Sequence, residues 1–471
     1  MWVSRVLAWT LCVSLALPSI AVSGERTETP QPLPKTVAVA AFKNGLAFVV
    51  RQGSVELHSG VGRITPIPNS TLGTMWLAPG EANSVLDEVV AYRYAALRED
   101  PNSHEKVAEV RSALRFKMLG ATDKTDLTLG YLEHGIGWTP SYLISLNDDK
   151  TARITMQAVV MNDAEDVTDA DVFFVVGVPN FAYSETPSPM SLQQNLLSFM
   201  KDAGRRDDGN YLRYSNAIAG QLVANEFKEM DAASAPTFSQ AVSELAGAPE
   251  EDLFLYSRAA VTLERGERAT YNVFSASVDY EHVYEWEVVD APRVDAYGNV
   301  IQNNPNPQDA AMRNAIWHSI RLKNSTKFPW TSAPTMVISG VKPVSQDTIP
   351  YTPKTASASL RITVATDIRS SHEEREVARQ QNVQRRHGYE MDLVTVEGKL
   401  KLKNYKSKEV RVEVGKTLRG DVESQSDEGK AAKLGEAIQT DNPLSRLTWR
   451  IPLKPGEERT VTYRYKIFVR G

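Results

Sequence analysis

Apolar and polar residues alternate with a period of two along most of the chain, which is the pattern of half-buried β-strands. From Thr36 to His58 it predicts three short strands, with turns at Asn44-Gly45 and Gln52-Gly53. Asn-Gly between apolar runs is a strong hairpin cue. Val89 to Ala95 reads as a further strand. Over 110–118, Val110, Leu114, Phe116 and Met118 fall on one side, and Arg111, Arg115 and Lys117 on the other. That reads as a strand, with a helix as the alternative. Leu127, Leu129 and Tyr131 continue the alternation, as do Tyr142, Ile144 and Leu146, then Ile154, Met156, Ala158 and Val160. Asp171 to Val178 is nearly all apolar, as expected of a central strand buried on both faces.

The pattern lapses over 183–250. Leu192, Leu196, Leu197 and Met200 suit a short helix there, and Ile218, Leu222, Val223, Phe227 and Met230 suit another. Strands resume after Asp252. A hairpin is expected from Val261–Glu264 through Arg265-Gly266-Glu267 to Ala269–Val278, with His282–Val289 as a separate strand. Residues 291–312 read as a linker. Beyond it come Ala315–Lys323, Thr335–Ser339, Leu393–Asn404 and the Val410, Val412, Val414 strand. Leu447 to Leu453 and Val461 to Val469 alternate around Pro455-Gly456, which predicts a closing hairpin. Residues 367–388 interleave Arg369, Glu373, Glu374, Arg375, Glu376, Arg379, Arg385 and Arg386 and read as a solvated loop or short helix. No repeat period is visible. The expected fold is mainly β: two antiparallel β-sandwich-like regions with a partly helical or disordered insertion at 183–250. The expected units are 24–100, an N-terminal β unit, 101–290, a central β-sandwich region, and 313–471, a C-terminal sandwich.

The beginning of the chain changes the picture. Arg5, the apolar run Val6 to Leu17, Pro18 and the small residues Ala21-Val22-Ser23 form a secretory signal pattern over 1–23. A periplasmic or extracellular protein is therefore expected. Cys12 is the only cysteine, and it lies in that segment. Thiolate chemistry, disulfides and cysteine-bound metals are thus excluded from the mature chain. No later apolar run reaches the length of a membrane span, so no transmembrane segment is expected after cleavage. The 471 residues carry a net charge of -5, which argues against nucleic acid as a partner.

Several segments resemble the mucoidy inhibitor A-like family. They are Gly137-Trp138-Thr139-Pro140-Ser141-Tyr142, Asn162-Asp163-Ala164-Glu165-Asp166, Gly177-Val178-Pro179, Arg321-Leu322-Lys323-Asn324 and Pro455-Gly456-Glu457 with the Tyr-rich strand after it. Their order carries the resemblance, over roughly residues 36–182 and 251–471. It implies a β-rich fold and export, and no catalytic residues. Members of that family often insert a coiled coil before the Trp-Pro-Ser-Tyr region, whereas residues 97–106 here offer a short polar loop.

Candidate chemistry is sparse. No two of the seven histidines have the spacing that builds a zinc site. Asp163, Glu165 and Asp166, with Asp169 and Asp171, crowd one turn and could offer oxygens to calcium. Their alternative role is an Asx-stabilised turn with solvated acids. No G-x-S-x-G elbow is present. Glu281, Glu285 and Glu287 lie among Tyr280, Tyr284 and Trp286. On a strand, Glu285 and Glu287 share a face and could bind sugar beside an aromatic ring. Trp138, Trp286, Trp330 and Trp449 are either binding platforms or core. The resulting expectation is an exported, non-enzymatic envelope protein. It would bind a protein or surface polysaccharide through Trp286, Glu285, Glu287 and Trp330, or through 183–250 and 367–388. The alternatives are a hydrolase acting on envelope polysaccharide with Glu285 or Glu287 among its acids, and calcium-stabilised adhesion.

Overall fold

Alternation becomes strand almost everywhere. The computed structural model describes residues 29–80, 84–99, 106–121, 123–177, 179–192, 253–288, 293–294, 299–301, 315–386, 388–434 and 441–471, with no α-helix among them. The expected signal segment 1–23 and most of the 183–250 insertion, including its two expected helices, lie outside the described residues.

The chain begins with β1 (Gln31–Pro32), β2 (Lys35–Ala41), β3 (Leu46–Glu56), β4 (Val61–Thr65) and β5 (Trp76–Pro79). The long hairpin of β6 (Val85–Glu99) and β7 (Lys106–Leu119) follows. Next come β8 (Lys124–His134), β9 (Ile136–Leu146), β10 (Thr151–Asn162) and β11 (Val167–Val176). After the insertion stand β12 (Phe254–Leu263), β13 (Arg268–Val288) and the short pair β14 (Arg293–Val294) and β15 (Val300–Ile301). The C-terminal part holds β16 (Trp317–Lys323), β17 (Ala333–Ser339), β18 (Lys342–Ile349), β19 (Ser357–Val364), β20 (Ile368–Arg386) and β21 (Tyr389–Asn404). It ends with β22 (Val410–Arg419), β23 (Asp421–Gln425), β24 (Lys430–Lys433), β25 (Leu444–Leu453) and β26 (Glu458–Arg470).

One long sheet organises the molecule. Its strands run β18-β17-β9-β10-β13-β22-β25-β24, with β16 paired to β13 and β19 to β16. A six-stranded sheet, β12-β11-β2-β3-β8-β5, packs on it around Trp138, Trp330, Phe174 and Tyr256. A four-stranded sheet, β20-β21-β26-β23, packs on it around Trp286, Trp449 and Tyr463. β13 takes part in both cores: Val278 and Tyr280 enter the first, and Tyr284, Trp286 and Val288 the second. Residues of the same parity on a strand share a face. Both covering sheets therefore sit on the same face of the long sheet, side by side. As expected, β11 is buried on both faces, with Phe174 in the first core and Phe173 and Val175 in a smaller cluster behind it.

The same corner recurs three times among the described residues. β10, β16 and β21 each run into a fully buried asparagine: Asn162, Asn324 and Asn404, all 0% exposed. At Asn162 and Asn404 the chain leaves for a strand of the other layer, at Asn324 for β17 of the same long sheet, and at each a later β-turn docks on the asparagine backbone. Gly266, Thr355 and Gly456 donate N–H to the three asparagine carbonyls at 2.6, 2.9 and 2.9 Å. The asparagine N–H groups donate to Glu267, Ala356 and Glu457 in the same order. The Asn404 amide donates to the carbonyls of Lys408, Leu453 and Lys454, and Asn324 to Phe328, Thr352 and Pro353. Asn162 donates to Glu165 and Leu263. A chain that crosses between layers strands carbonyls in a dry interior, and a buried carbonyl needs a donor. Asparagine supplies two from one short side chain. The strand after the docked turn then pairs with the strand that ends in the asparagine: β13 with β10, β19 with β16, β26 with β21.

Several expectations change for physical reasons. Gln52-Gly53 makes no turn; β3 runs straight through it. A Cβ at Gly53 would come 3.3 Å from Pro34 Cβ, so the glycine marks a close approach. Ala269–Val278 and His282–Val289 fuse into the single strand β13. Residues 367–388 are β20 and its turn, an edge strand whose exposed charges and bulges at Glu376/Ala378 and Gln380/Gln384 blunt it against further pairing. β25 and β26 are not a hairpin. They pair with β22 and β21 in different layers and face each other across the core, with Trp449 and Tyr463 6.0 Å apart. The linker at 291–312 does not divide the two cores, because Ile320, Leu322, Trp330, Val337 and Leu360 return to the first. The second core is built from the end of β13, Ile316 and residues from Ala365 onward.

Candidate functional site

The outer face of the long sheet, opposite the two covers, carries a dense polar array. β19, β16, β13, β22 and β25 lie there as neighbours. Alternation on β13 turns Tyr284, Trp286 and Val288 inward and Glu285 and Glu287 outward. Glu285 and Glu287 therefore share a face, as expected, while Trp286 does not join them: it is 1% exposed. Trp330 is 0% exposed, and its Nε1 donates to Thr326 Oγ1 at 3.2 Å. Both rings are core, because each follows the inward parity of its strand or bridge, and neither is a binding platform. Trp138 and Trp449 are buried as well.

Each outward acid is held by fixed donors. Ser319 and Ser359 hydroxyls donate to the two oxygens of Glu285 at 2.7 and 2.9 Å. Arg321 stands 3.7 Å from the same carboxylate. Its guanidinium forks onto Glu413 at 3.1 and 2.7 Å. That bidentate hydrogen bond holds the Glu413 carboxyl below its ordinary range and raises Arg321. Glu287 pairs with Arg446 Nη2 at 2.5 Å. The pair lies over Gly415, where a Cβ would fall 2.6 Å from both Arg446 Nη2 and Glu287 Oε1. A side chain there would push the two charged ends aside.

Glu285, Glu287, Glu413 and Arg446 line a cleft of 1070 Å³ with Trp317, Trp449, Arg361, Thr448 and the Asp427–Lys430 turn. Trp317 is half-buried, and the Arg361 guanidinium sits 5.1 Å from its ring centre. The solvent-accessible aromatic residue of the cleft is thus Trp317, from β16, and not the neighbouring Trp286; Trp449 also borders it but is 2% exposed. Sequence reasoning missed it because the two strands are joined in space, by the pairing of Glu285 with Trp317. Gly415, Arg361 and Arg446 were invisible for the same reason.

The acidic turn at 163–171 is built differently from a cation loop. Glu165 turns inward to Arg51 at 2.6 Å and to the Tyr131 hydroxyl at 2.7 Å. Asp166 accepts the Arg265 N–H at 2.8 Å, and Asp163 faces Arg268 at 3.5 Å. The carboxylates disperse onto separate cations and amides. No group of three metal-ligating side chains forms among the described residues. The corner asparagine explains the turn: Asn162 Oδ1 accepts the Ala164 and Glu165 N–H groups.

No helix among the described residues is long and apolar enough to cross a membrane. No protein-family model matches the chain, and no curated protein matches it.

Proposed function

We propose that this is an exported, non-enzymatic protein of the cell envelope, and that its outer-face cleft binds a surface polysaccharide. The observation that carries the reading is the half-buried Trp317 beside ranks of fixed carboxylates and guanidiniums in one cleft. An aromatic face packs on the apolar face of a sugar ring, and the flanking charged groups exchange hydrogen bonds with its hydroxyls. The acids are clamped by serines and arginines, which suits binding better than proton transfer. Export rests on the signal pattern of 1–23, and the resemblance to the mucoidy inhibitor A-like family agrees with it.

The test is co-sedimentation of the mature protein with separated envelope fractions, with released sugars assayed in the same tubes. Binding without release is expected, lost in Trp317→Ala and reduced in Gly415→Ala. Wild-type sedimentation by Trp317→Ala would remove the cleft from the account.

One observation favours a second reading. Glu285 and Glu287 stand two residues apart on a strand, about 6.6 Å at ~3.3 Å per residue, a spacing compatible with glycoside hydrolysis. Sugar release abolished by both Glu285→Gln and Glu287→Gln would replace binding with hydrolysis.

A further inference from the structure

His282 and His318 are 36 residues apart in sequence and adjacent in space. They lie on neighbouring antiparallel strands, where Tyr284 opposes His318 and His282 opposes Ile320. Both have the inward parity of their strands. On β13, His282 falls between Tyr280 of the first core and Tyr284 of the second. On β16, His318 falls between Ile316 of the second and Ile320 of the first. The pair therefore lies where the two cores meet, half-buried.

Its geometry is fixed. His282 Nδ1 and His318 Nε2 are 2.9 Å apart. The Tyr284 ring stacks on His318 at 4.9 Å and 18°, and Tyr280 meets His282 edge-on at 5.3 Å. These contacts hold the ring planes with the two facing nitrogens sharing one hydrogen bond, so a shared ion requires each ring to turn off that axis. Two nitrogens at that separation, each ~2.0–2.1 Å from one ion, subtend about 90° at it. That is the angle of square-planar or tetragonal coordination, which copper(II) adopts, and is narrower than a tetrahedral zinc site needs.

We propose that His282 and His318 form a cross-strand copper(II) site, with water in the remaining positions. Burial lowers His282, and burial followed by His282 and the cations of Lys406 and Lys408 lowers His318 to about 4. To admit the ion, the imidazole that donates across the pair moves its proton to its outward nitrogen. This is a tautomer change with no net proton release. Lys406 and Lys408 weaken the binding of any cation here; among divalent ions of the first transition row, imidazole binds copper(II) most strongly.

The test is titration of the full chain with copper(II) chloride at neutral pH, followed by electron paramagnetic resonance. One equivalent is expected, with a tetragonal spectrum split by two imidazole nitrogens. His282→Asn and His318→Gln should each weaken binding by more than about tenfold and remove one nitrogen from the splitting. Circular dichroism and a melting curve confirm that each variant is folded; if one is not, the other decides. Copper bound equally by both folded variants, or a wild-type spectrum without two-nitrogen splitting, would overturn the site.

Discussion

The two sandwiches share a strand and a corner design, yet they treat a buried carboxyl in opposite ways. In the first, Glu133 on β8 is 4% exposed, and no hydrogen bond reaches its Oε1. Burial, followed by the charge of Glu165, pushes its carboxyl up to about 8. In the second, Glu374 on β20 also loses solvent, and burial alone would raise it. Hydrogen bonds from His372 and Tyr463 and the ammonium of Lys416 outweigh that and hold it down to about 2. Lys416 is 0% exposed and 3.3 Å from Glu374; the Tyr463 hydroxyl donates to Glu374 at 2.6 Å. Neither burial nor neighbourhood alone decides the state of a carboxyl; the partner reaching across from the opposite sheet does. β22 brings a lysine to that inward position, and the first core brings none to Glu133.

The largest effect should come from removing that partner. Lys416→Met leaves Glu374 buried beside an apolar chain and should cost about 3–5 kcal/mol in urea unfolding. The double variant Lys416→Met/Glu374→Leu should recover most of the loss, since an apolar pair replaces a buried ionic one at little cost. A single variant as stable as the wild type would show that the ion pair does not organise the second core.

The corner asparagines should come next. Asn404→Ala strips the donor from one buried and two part-buried carbonyls, and Asn162→Ala from one of each, at about 1–3 kcal/mol for a buried group left unsatisfied. The loss should be greater at 404 than at 162. Equal, small losses would mean that the corners are held by their docked turns alone.

The pH dependence separates the two carboxyls by sign. Glu374 has a depressed folded pKa, so its stabilisation is full above the unfolded value of 4.5 and fades as pH falls toward 2. Glu133 has a raised one, so stability declines as pH rises from 4.5 to about 8. Each slope is at most about 1.4 kcal/mol per pH unit. Glu374→Gln should flatten the acid limb, and Glu133→Gln the alkaline one. Exchange of those two outcomes in denaturation curves from pH 2 to 9 would reverse the comparison.

Strand content was legible because period-two alternation survives wherever one face is dry. Layer assignment was not. Leu447–Leu453 and Val461–Val469 look like a hairpin around Pro455-Gly456, and nothing local says that the two strands part into different sheets. The corner left a faint trace: Arg321-Leu322-Lys323-Asn324 resembles Lys401-Leu402-Lys403-Asn404, and Gly266-Glu267 resembles Gly456-Glu457. The docked turn returns after intervals of different length, which hides any fixed period. Of the candidate site, Glu285 and Glu287 were readable from one strand. Trp317, Arg361, Gly415 and Arg446 come from other strands, and only register brings them together. Trp286 misled because the residue between two outward acids must point inward.

Strands β13, β16, β19, β22 and β25 meet on one outer face, and the cleft they form, lined by Trp317, is proposed to bind a saccharide. The direct measurement is fluorine NMR of the mature chain labelled with 5-fluorotryptophan, titrated with polysaccharide from the fraction it sediments with. The resonance lost in Trp317→Phe should shift on titration, while those of the buried Trp138, Trp286 and Trp330 stay in place. A Trp317 resonance that holds still while the protein binds would contradict the claim and place the binding surface elsewhere.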